Sequence, residues 1–534
     1  MNRVLYILFF LLCGGSIFFH THCVNDGQIV SKWLLAETSA CLWLLAFSLK
    51  IVGTYNKRTN KQNLHHYFLT MLACCWAESV YGIFQALPLF HSAHSLPVSG
   101  SFDNPAGFAA CLCVGLPFAY PFLRSKRRAV KLIALFMACC MIVSCCLSQS
   151  RAGMVAVITV VGMIAYPYIP RFKYRNCIVA ILLVGALSIG YSLKKDSADG
   201  RLLIARCTCE MIMDRPFTGW GSGAFTAHYM DYQADYFQKH PQSRFAMLAG
   251  NVNHPFNEYL HLCLVGGIPL LLLFVALCVF LYRCYRRNPT LNGKAAGLSL
   301  VSVGVLSLFS YPFAYPFTWI AVLFSCYVLV RQARIKIKVG NRVKRLAAVG
   351  TACLACYMLC GQTQRIVAEL RWKSATDMAL QGKGEQVFPI YERLKLQLGK
   401  NPFFLYNYAA ELYMAGHYEQ SLSVLDECQK YWADYDLEIL LGETCYELRR
   451  YDEAVSHFRK ASYMCPVKFT PLYRCYTIYK ELGMKAPADS LADKILNKKI
   501  KIPSSVIDHM RMEIMKDRDY KHSINKQRKK RSRK

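Results

Sequence analysis

The stretch NVNHPFNEYLHLCLVGGIPLLLLF, residues 251–274, turns from polar to apolar within a few positions and sets His254 and Glu258 four residues apart at the change. A carboxylate near an imidazole fixes its tautomer and raises its basicity. That pairing suits a general base taking a proton from a weak nucleophile. A histidine ahead of a helix is more often structural. His261 lies two turns from His254, and no third ligand is spaced for a metal, so no metal site is expected.

Three other polar clusters interrupt apolar runs. In GSFDNPAGFAA, 100–110, Asn104 precedes Pro105, a helix-start signal that a plain cap would also explain. In SQSRAGM, 148–154, Arg151 sits in a short Ser-flanked turn between two apolar stretches. It either snorkels toward lipid head groups or offers its planar fork to a phosphate. In DGRLLIARCTCEMIMDRPFTGWGSGAF, 199–225, Arg201, Arg206 and Glu210 lie along a helical pattern. Arg215 and the glycines 219, 221 and 223 then break it. Such glycines let backbone N–H groups approach an anion, or they form a turn. No strand precedes them, which argues against a dinucleotide fold.

These clusters need elements that hold them at one level. Of the 534 residues, 54% are hydrophobic and 18% charged, which indicates an integral membrane protein with a soluble part. Apolar stretches of spanning length lie near 4–20, 33–52, 67–87, 105–123, 129–149, 152–169, 177–193, 258–281, 296–314, 316–330 and 346–361, about eleven in all. The net charge of +31 is mostly topological. Loops after even-numbered spans, such as RSKRRAVK and RQARIKIKVGNRVKR, together hold 23 Lys and Arg, whereas PLFHSAHSLPVSGSFDN holds none. The positive-inside rule makes the even loops cytoplasmic. Nucleic-acid binding is thereby disfavoured, and the loop 194–257 and everything after 361 lie outside, the periplasm of a Gram-negative cell. Most of the 25 cysteines fall inside apolar runs and read as small packing residues.

Residues 362–500 change to amphipathic helices. In LEILLGETCYELRRYDEAVSHFRKASYMCP, the positions Gly442, Ala454, Phe458, Ala461 and Pro466 match the packing positions of a tetratricopeptide repeat. A copy 33 residues earlier places Ala409, Tyr418 and Ser421, and a weaker one follows at Ala488 and Ala492. Such stacks form grooves for peptides or partner proteins. The expected division is a membrane domain 1–361 containing the loop 194–257, an α-solenoid domain 362–500, and a basic, disordered tail 501–534. The fold class is all-α.

Taken in order, ESVYGIFQ (78–85), GSFDNPAGFAA, SQSRAG, GR followed by RPFTGWGSGAF, and NHPFNEYLHLCLVGGIPLLL resemble the O-antigen ligase superfamily over about residues 65–330. The usual Asn after the loop histidine is Pro255 here, and the usual second Asn of the early motif is Ala106. The resemblance implies transfer of a glycan from undecaprenyl diphosphate to an acceptor hydroxyl of lipid A-core or of protein Ser/Thr. It implies an enzyme of the inner membrane with a periplasmic active site and no cofactor. Arg151, Arg201 and Asn104 are then expected at the donor diphosphate, Arg206, Arg215 and Gly221 in secondary positions, and His254 as the base with Glu258 beside it. A polysaccharide polymerase of the same family, a polyprenyl-glycan transporter and a membrane-anchored repeat scaffold are the alternatives. A transporter would place charges within its spans, and a scaffold would have no use for the arginines and the histidine.

Overall fold

The computed structural model describes residues 2–53, 64–87, 98–170, 195–335 and 340–517. Among them every regular element is a helix. The chain is a polytopic all-α membrane protein. The expected span 177–193 and the basic segment 521–534 lie outside the described residues.

Ten of the expected spans correspond to apolar helices. They are α1 (Asn2–Phe18), α2 (Ile29–Gly53), α3 (His65–Ala86), α4 (Pro105–Gly115, prolonged by turns to Leu123), α5 (Arg128–Leu147), α6 (Arg151–Ala165), α9 (Glu258–Arg287), α10 (Leu291–Ser307), α11 (Pro316–Gln332) and α12 (Asn341–Leu380). Seven are long and apolar enough to cross a membrane, while α1, α10 and α11 are shorter. Between α6 and α9 lie α7 (Lys195–Asp214) and α8 (Ala224–Lys239).

The chain divides into two compact units. The first comprises 1–190, 256–262 and 268–378. Its centre is α4, buried from Gly107 to Gly115 in a cluster of small and aromatic side chains. Small residues permit this closeness. Ser299 and Ser302 of α10 donate to the carbonyls of Val114 and Cys113 (2.9 Å each), and Cys113 lies 3.6 Å from Cys145 Sγ, so the thiols pack as expected. In lipid, close packing and side-chain hydrogen bonds replace the hydrophobic drive between helices.

The second unit comprises 191–255, 263–267 and 379–534. It holds α7, α8 and a stack of short helices: α13 (Gly384–Leu398), α14 (Pro402–Met414), α15 (Tyr418–Cys428), α16 (Tyr435–Glu447), α17 (Tyr451–Met464), α18 (Thr470–Glu481) and α19 (Lys485–Asn497). Gly442 faces the Phe458 ring so closely that a Cβ would sit 2.7 Å from it, and Ser421 Oγ donates to Ala409 O (2.8 Å). Residues 195–255 of the loop 194–257, assigned from sequence to the membrane domain, thus cluster with the C-terminal helices. The expected boundary at 361 lies inside α12. Residues 505–517, read as part of the disordered tail, form a helix α20 instead. Met510 and Ile514 at i, i+4 give it an apolar face, which is buried with Phe469, Tyr476 and Ile495.

Candidate functional site

In the first unit, the polar clusters are built around short loops fixed by side chains reaching up from the helices. Gln85 Oε1 accepts the N–H groups of Ser99 (3.0 Å) and Gly100 (2.8 Å). Glu78, two turns earlier on the same face of α3, accepts Ser101 N (2.8 Å) and Ser101 Oγ (3.0 Å), and Lys32 Nζ donates to Ser101 O (2.6 Å) while lying 4.1 Å from the centre of the Phe102 ring. Glu78 and Lys32 are both buried, at 0% and 2% exposure. Buried charges persist only when paired and hydrogen-bonded, and here both are tied to Ser101. Gly100 has φ +58°, and a Cβ there would collide with Glu78 and with Phe108. ESVYGIFQ and GSFDN are therefore two halves of one joint. Lys32 was missed in the sequence, where it is a lone cation inside an apolar run.

That joint delivers Asn104 to the start of α4. Its Oδ1 accepts Ala106 N (2.9 Å) and Gly107 N (3.0 Å), the N-cap that Asn-Pro announced. Its Nδ2 is shared among Asp103 Oδ2 (2.7 Å), Tyr315 OH (2.8 Å) and Tyr311 OH (3.1 Å), and Tyr315 OH donates to Asp103 Oδ1 (2.9 Å). The amide is thus occupied on both sides, which suits a residue that shapes the loop. Tyr311 and Tyr315 had not been singled out.

Arg151 is the first residue of α6. Ser150 caps that helix by accepting Gly153 N (3.3 Å), and Gln149 before it holds a left-handed φ of 53°. A non-glycine residue in that region is strained, and such strain concentrates at functional turns. Gly153 packs against Ala109, so this turn abuts the first turns of α4. Arg151 thus lies at the positive end of the helix dipole.

The same face receives the start of α9. Asn257 caps it, accepting Tyr259 N and Leu260 N (3.0 Å each) and donating to Leu308 O (3.4 Å). Glu258 takes Phe313 N (3.4 Å) and meets His261 Nδ1 at 3.3 Å. Asn104 and Glu258 are therefore brought together through one aromatic segment, 308–315. His261 touches the carboxylate from i+3. The expected i, i+4 relation of His254 to Glu258 is not a helical one, because the helix begins at Glu258. Pro255 disfavours helical backbone at His254, and Phe256 turns left-handed at φ 53°.

In the second unit, Arg201 lies half-buried on α7. Arg206 pairs with Glu210 (3.8 Å) and covers the Tyr236 ring, and Arg215 stacks 4.1 Å above the Trp220 ring. The glycine motif packs against chain rather than forming a nucleotide loop. Helix α9 is broken at Gly266 and Gly267, three and two residues before Pro269, and the carbonyls released there accept Trp220 N (Leu264 O, 2.8 Å) and Gly221 N (Val265 O, 3.0 Å). The Gly221 N–H, expected as a secondary anion contact, is thus already bonded. A Cβ on Gly219 would lie 2.5 Å from Val265 O, and one on Gly267 2.6 Å from Phe217 O.

Helix α8 and the segment leading to His254 both attach to the stack. Ala433 N donates to Thr226 O (3.0 Å) and Asn251 Nδ2 to Asp434 Oδ2 (2.7 Å), while Lys460 Nζ bridges Asp231 (2.8 Å) and Glu438 (2.7 Å). Glu438 also pairs with His457 at 2.7 Å. Burial opposes the charge on both. The Cys445 and Glu438 partners nevertheless push His457 up to about 9, and His457 and Lys460 hold Glu438 low. His254 itself is half-buried.

Residues 135–275, a little over a quarter of the chain, match the family model described as O-Antigen ligase. The matched segment contains Arg151, Arg201, Arg206, Arg215, Gly221, His254 and Glu258. No curated protein matches the chain.

Proposed function

We propose, from the premise that an O-antigen ligase segment runs through this multi-pass membrane protein, that the chain transfers a glycan from undecaprenyl diphosphate to an acceptor hydroxyl. The acceptor is lipid A-core or a protein Ser/Thr, and the reaction takes place at the periplasmic face of the inner membrane. The observation that carries the reading is Arg151 at the first position of an apolar helix, in a strained turn whose Gly153 packs against Ala109 of α4. Fixed positive charge is thereby placed where a membrane span ends. A lipid diphosphate presents its charge at the same level.

The leaving group gains charge as the sugar C1–O bond breaks, and preorganised cations stabilise that charge most when water is excluded. Arg151 and Arg201 supply it in this reading, with Arg206 and Arg215 at its margin and Asn104 shaping the loop. His254 takes the acceptor's proton, the freed oxygen attacks C1, and the C1–O electron pair leaves with the diphosphate. One displacement inverts the anomeric centre. Glu258, paired with His261, orders the start of α9, four residues after the base. The C-terminal stack of helical pairs fits tetratricopeptide-like repeats, whose remaining surface is available to a protein partner.

Mass spectrometry of lipopolysaccharide and envelope proteins from a deletion strain tests this reading. Loss of glycan from one of them names the acceptor. An unchanged envelope glycan profile, with the donor not accumulating, would exclude transfer and favour the scaffold.

A further inference from the structure

Several contacts join the loop to the stack, and that of Asn251 with Asp434 ends three positions before His254. Gln233 is fully buried, and each polar atom of its amide is used. Oε1 accepts Tyr229 OH (2.8 Å), and Nε2 donates to Gly250 O (3.0 Å) and Met464 O (2.7 Å). It therefore bonds the segment leading to His254 and the end of α17 at once. One residue on, Asn251 donates to Asp434, a side chain 1% exposed that also caps α16 by accepting Asp436 N (2.7 Å). Lys460 adds an ion-pair bridge from α17 to Asp231 of α8. The amide of Gln233 and the carboxylate of Asp434 are buried and fully hydrogen-bonded, so a shift of either leaves a buried polar group unpaired, while Asn251 and Asp231 meet the stack from its exposed side.

We propose that the C-terminal stack is a positioning element of the transfer site. It holds the segment 249–254 through Gln233 and the Asn251–Asp434 pair and so sets the place of the His254 imidazole; this rests on the reading of His254 as the base. Asn251 lies three positions before the histidine, at most ~10 Å of chain, and Pro255 restricts the backbone immediately after it. The surface formed by 433–464 is occupied by the protein's own α8. A partner would bind elsewhere on the stack.

The pair can be reversed without loss of its other duty. Asn251→Asp alone sets two carboxylates against each other. Asp434→Asn alone keeps an amide donor and a capping oxygen. The double variant combines Asn251→Asp with Asp434→Asn. Its side-chain amide at position 434 still caps α16 through Oδ1 and offers its N–H to the carboxylate at position 251. The full-length protein is assayed in detergent with undecaprenyl diphosphate-linked glycan as donor and an envelope fraction as acceptor, alongside hydrogen exchange of the amides 245–256. Asn251→Asp is expected to lower kcat about tenfold to a hundredfold, as an unpaired buried polar group would. The donor KM should change by less than about threefold, because the arginines remain. Exchange at 250–254 should rise, and the double variant should restore both rate and protection. A wild-type kcat in Asn251→Asp despite raised exchange would reduce the stack to a structural domain and overturn the proposal. So would unchanged exchange, or a double variant that regains protection but not rate. If wild-type protein transfers to no acceptor, the transferase reading fails, and the exchange data alone decide the tether.

Discussion

Gly219→Ala tests whether the glycine motif is a packing joint. Gly219 holds φ +65°, and an added Cβ would meet three backbone atoms, Val265 O at 2.5 Å, Val265 C at 2.6 Å and Gly266 N at 2.7 Å. No rotamer change relieves a clash with backbone, so the segment 216–221 must withdraw from the break in α9. Withdrawal forfeits Trp220 N to Leu264 O and Gly221 N to Val265 O. At ~1 kcal/mol for each hydrogen bond and ~1 kcal/mol for the left-handed alanine, the docked form loses about 3 kcal/mol. That is roughly a hundredfold in its population. Gly221 is the control, since it holds φ +88° but an added Cβ meets nothing within 4 Å. Gly221→Ala should cost only ~1 kcal/mol. Hydrogen exchange of 216–222 and 264–269 in the solubilised protein reads both. Equal protection in the two variants would refute the argument, because it assigns their difference wholly to the backbone clash.

Arg151→Ala and Arg201→Ala should each remove most glycan transfer while the protein still inserts, and Lys should rescue only partly because an ammonium lacks the bidentate fork; transfer to the envelope fraction measures this. His457, raised from 6.5 to about 9, should stabilise the stack by up to ~3 kcal/mol at 1.36 kcal/mol per unit. A raised pKa gives stability that is full below 6.5 and lost as pH climbs through about 9, so thermal unfolding should fall across that window and the slope should vanish in His457→Ala. An alkaline phosphatase fusion at residue 500 should be active and one within 331–345 inactive, and the reverse would place His254 on the cytoplasmic side.

The membrane helices were legible because each is a continuous apolar run, and lipid leaves the backbone no alternative to a helix. Asn104 and Ser150 were legible as caps because capping is local. What the sequence concealed was long-range. Nothing near Glu78 or Gln85 says that they hold Ser99, Gly100 and Ser101. Nothing near Gln233 says that it reaches Met464. Two local signals were present and went unread. Gly266, Gly267 and Pro269 together mark a helix break, and Pro255 bars the helical spacing read between His254 and Glu258. Residues 505–517 show the same limit at the chain's end, where basic composition masked the i, i+4 pair of Met510 and Ile514.

In the proposed mechanism His254 is the base and the arginines hold the donor. The most direct measurement is donor binding and product formation, determined separately, in purified His254→Ala with undecaprenyl diphosphate-linked glycan and an envelope acceptor fraction. General-base catalysis contributes about 10²–10⁴-fold. If His254 is the base, product falls in that range while donor binding is kept. Normal transfer, or donor binding lost in step with product, would contradict it and assign His254 to the binding site or the fold.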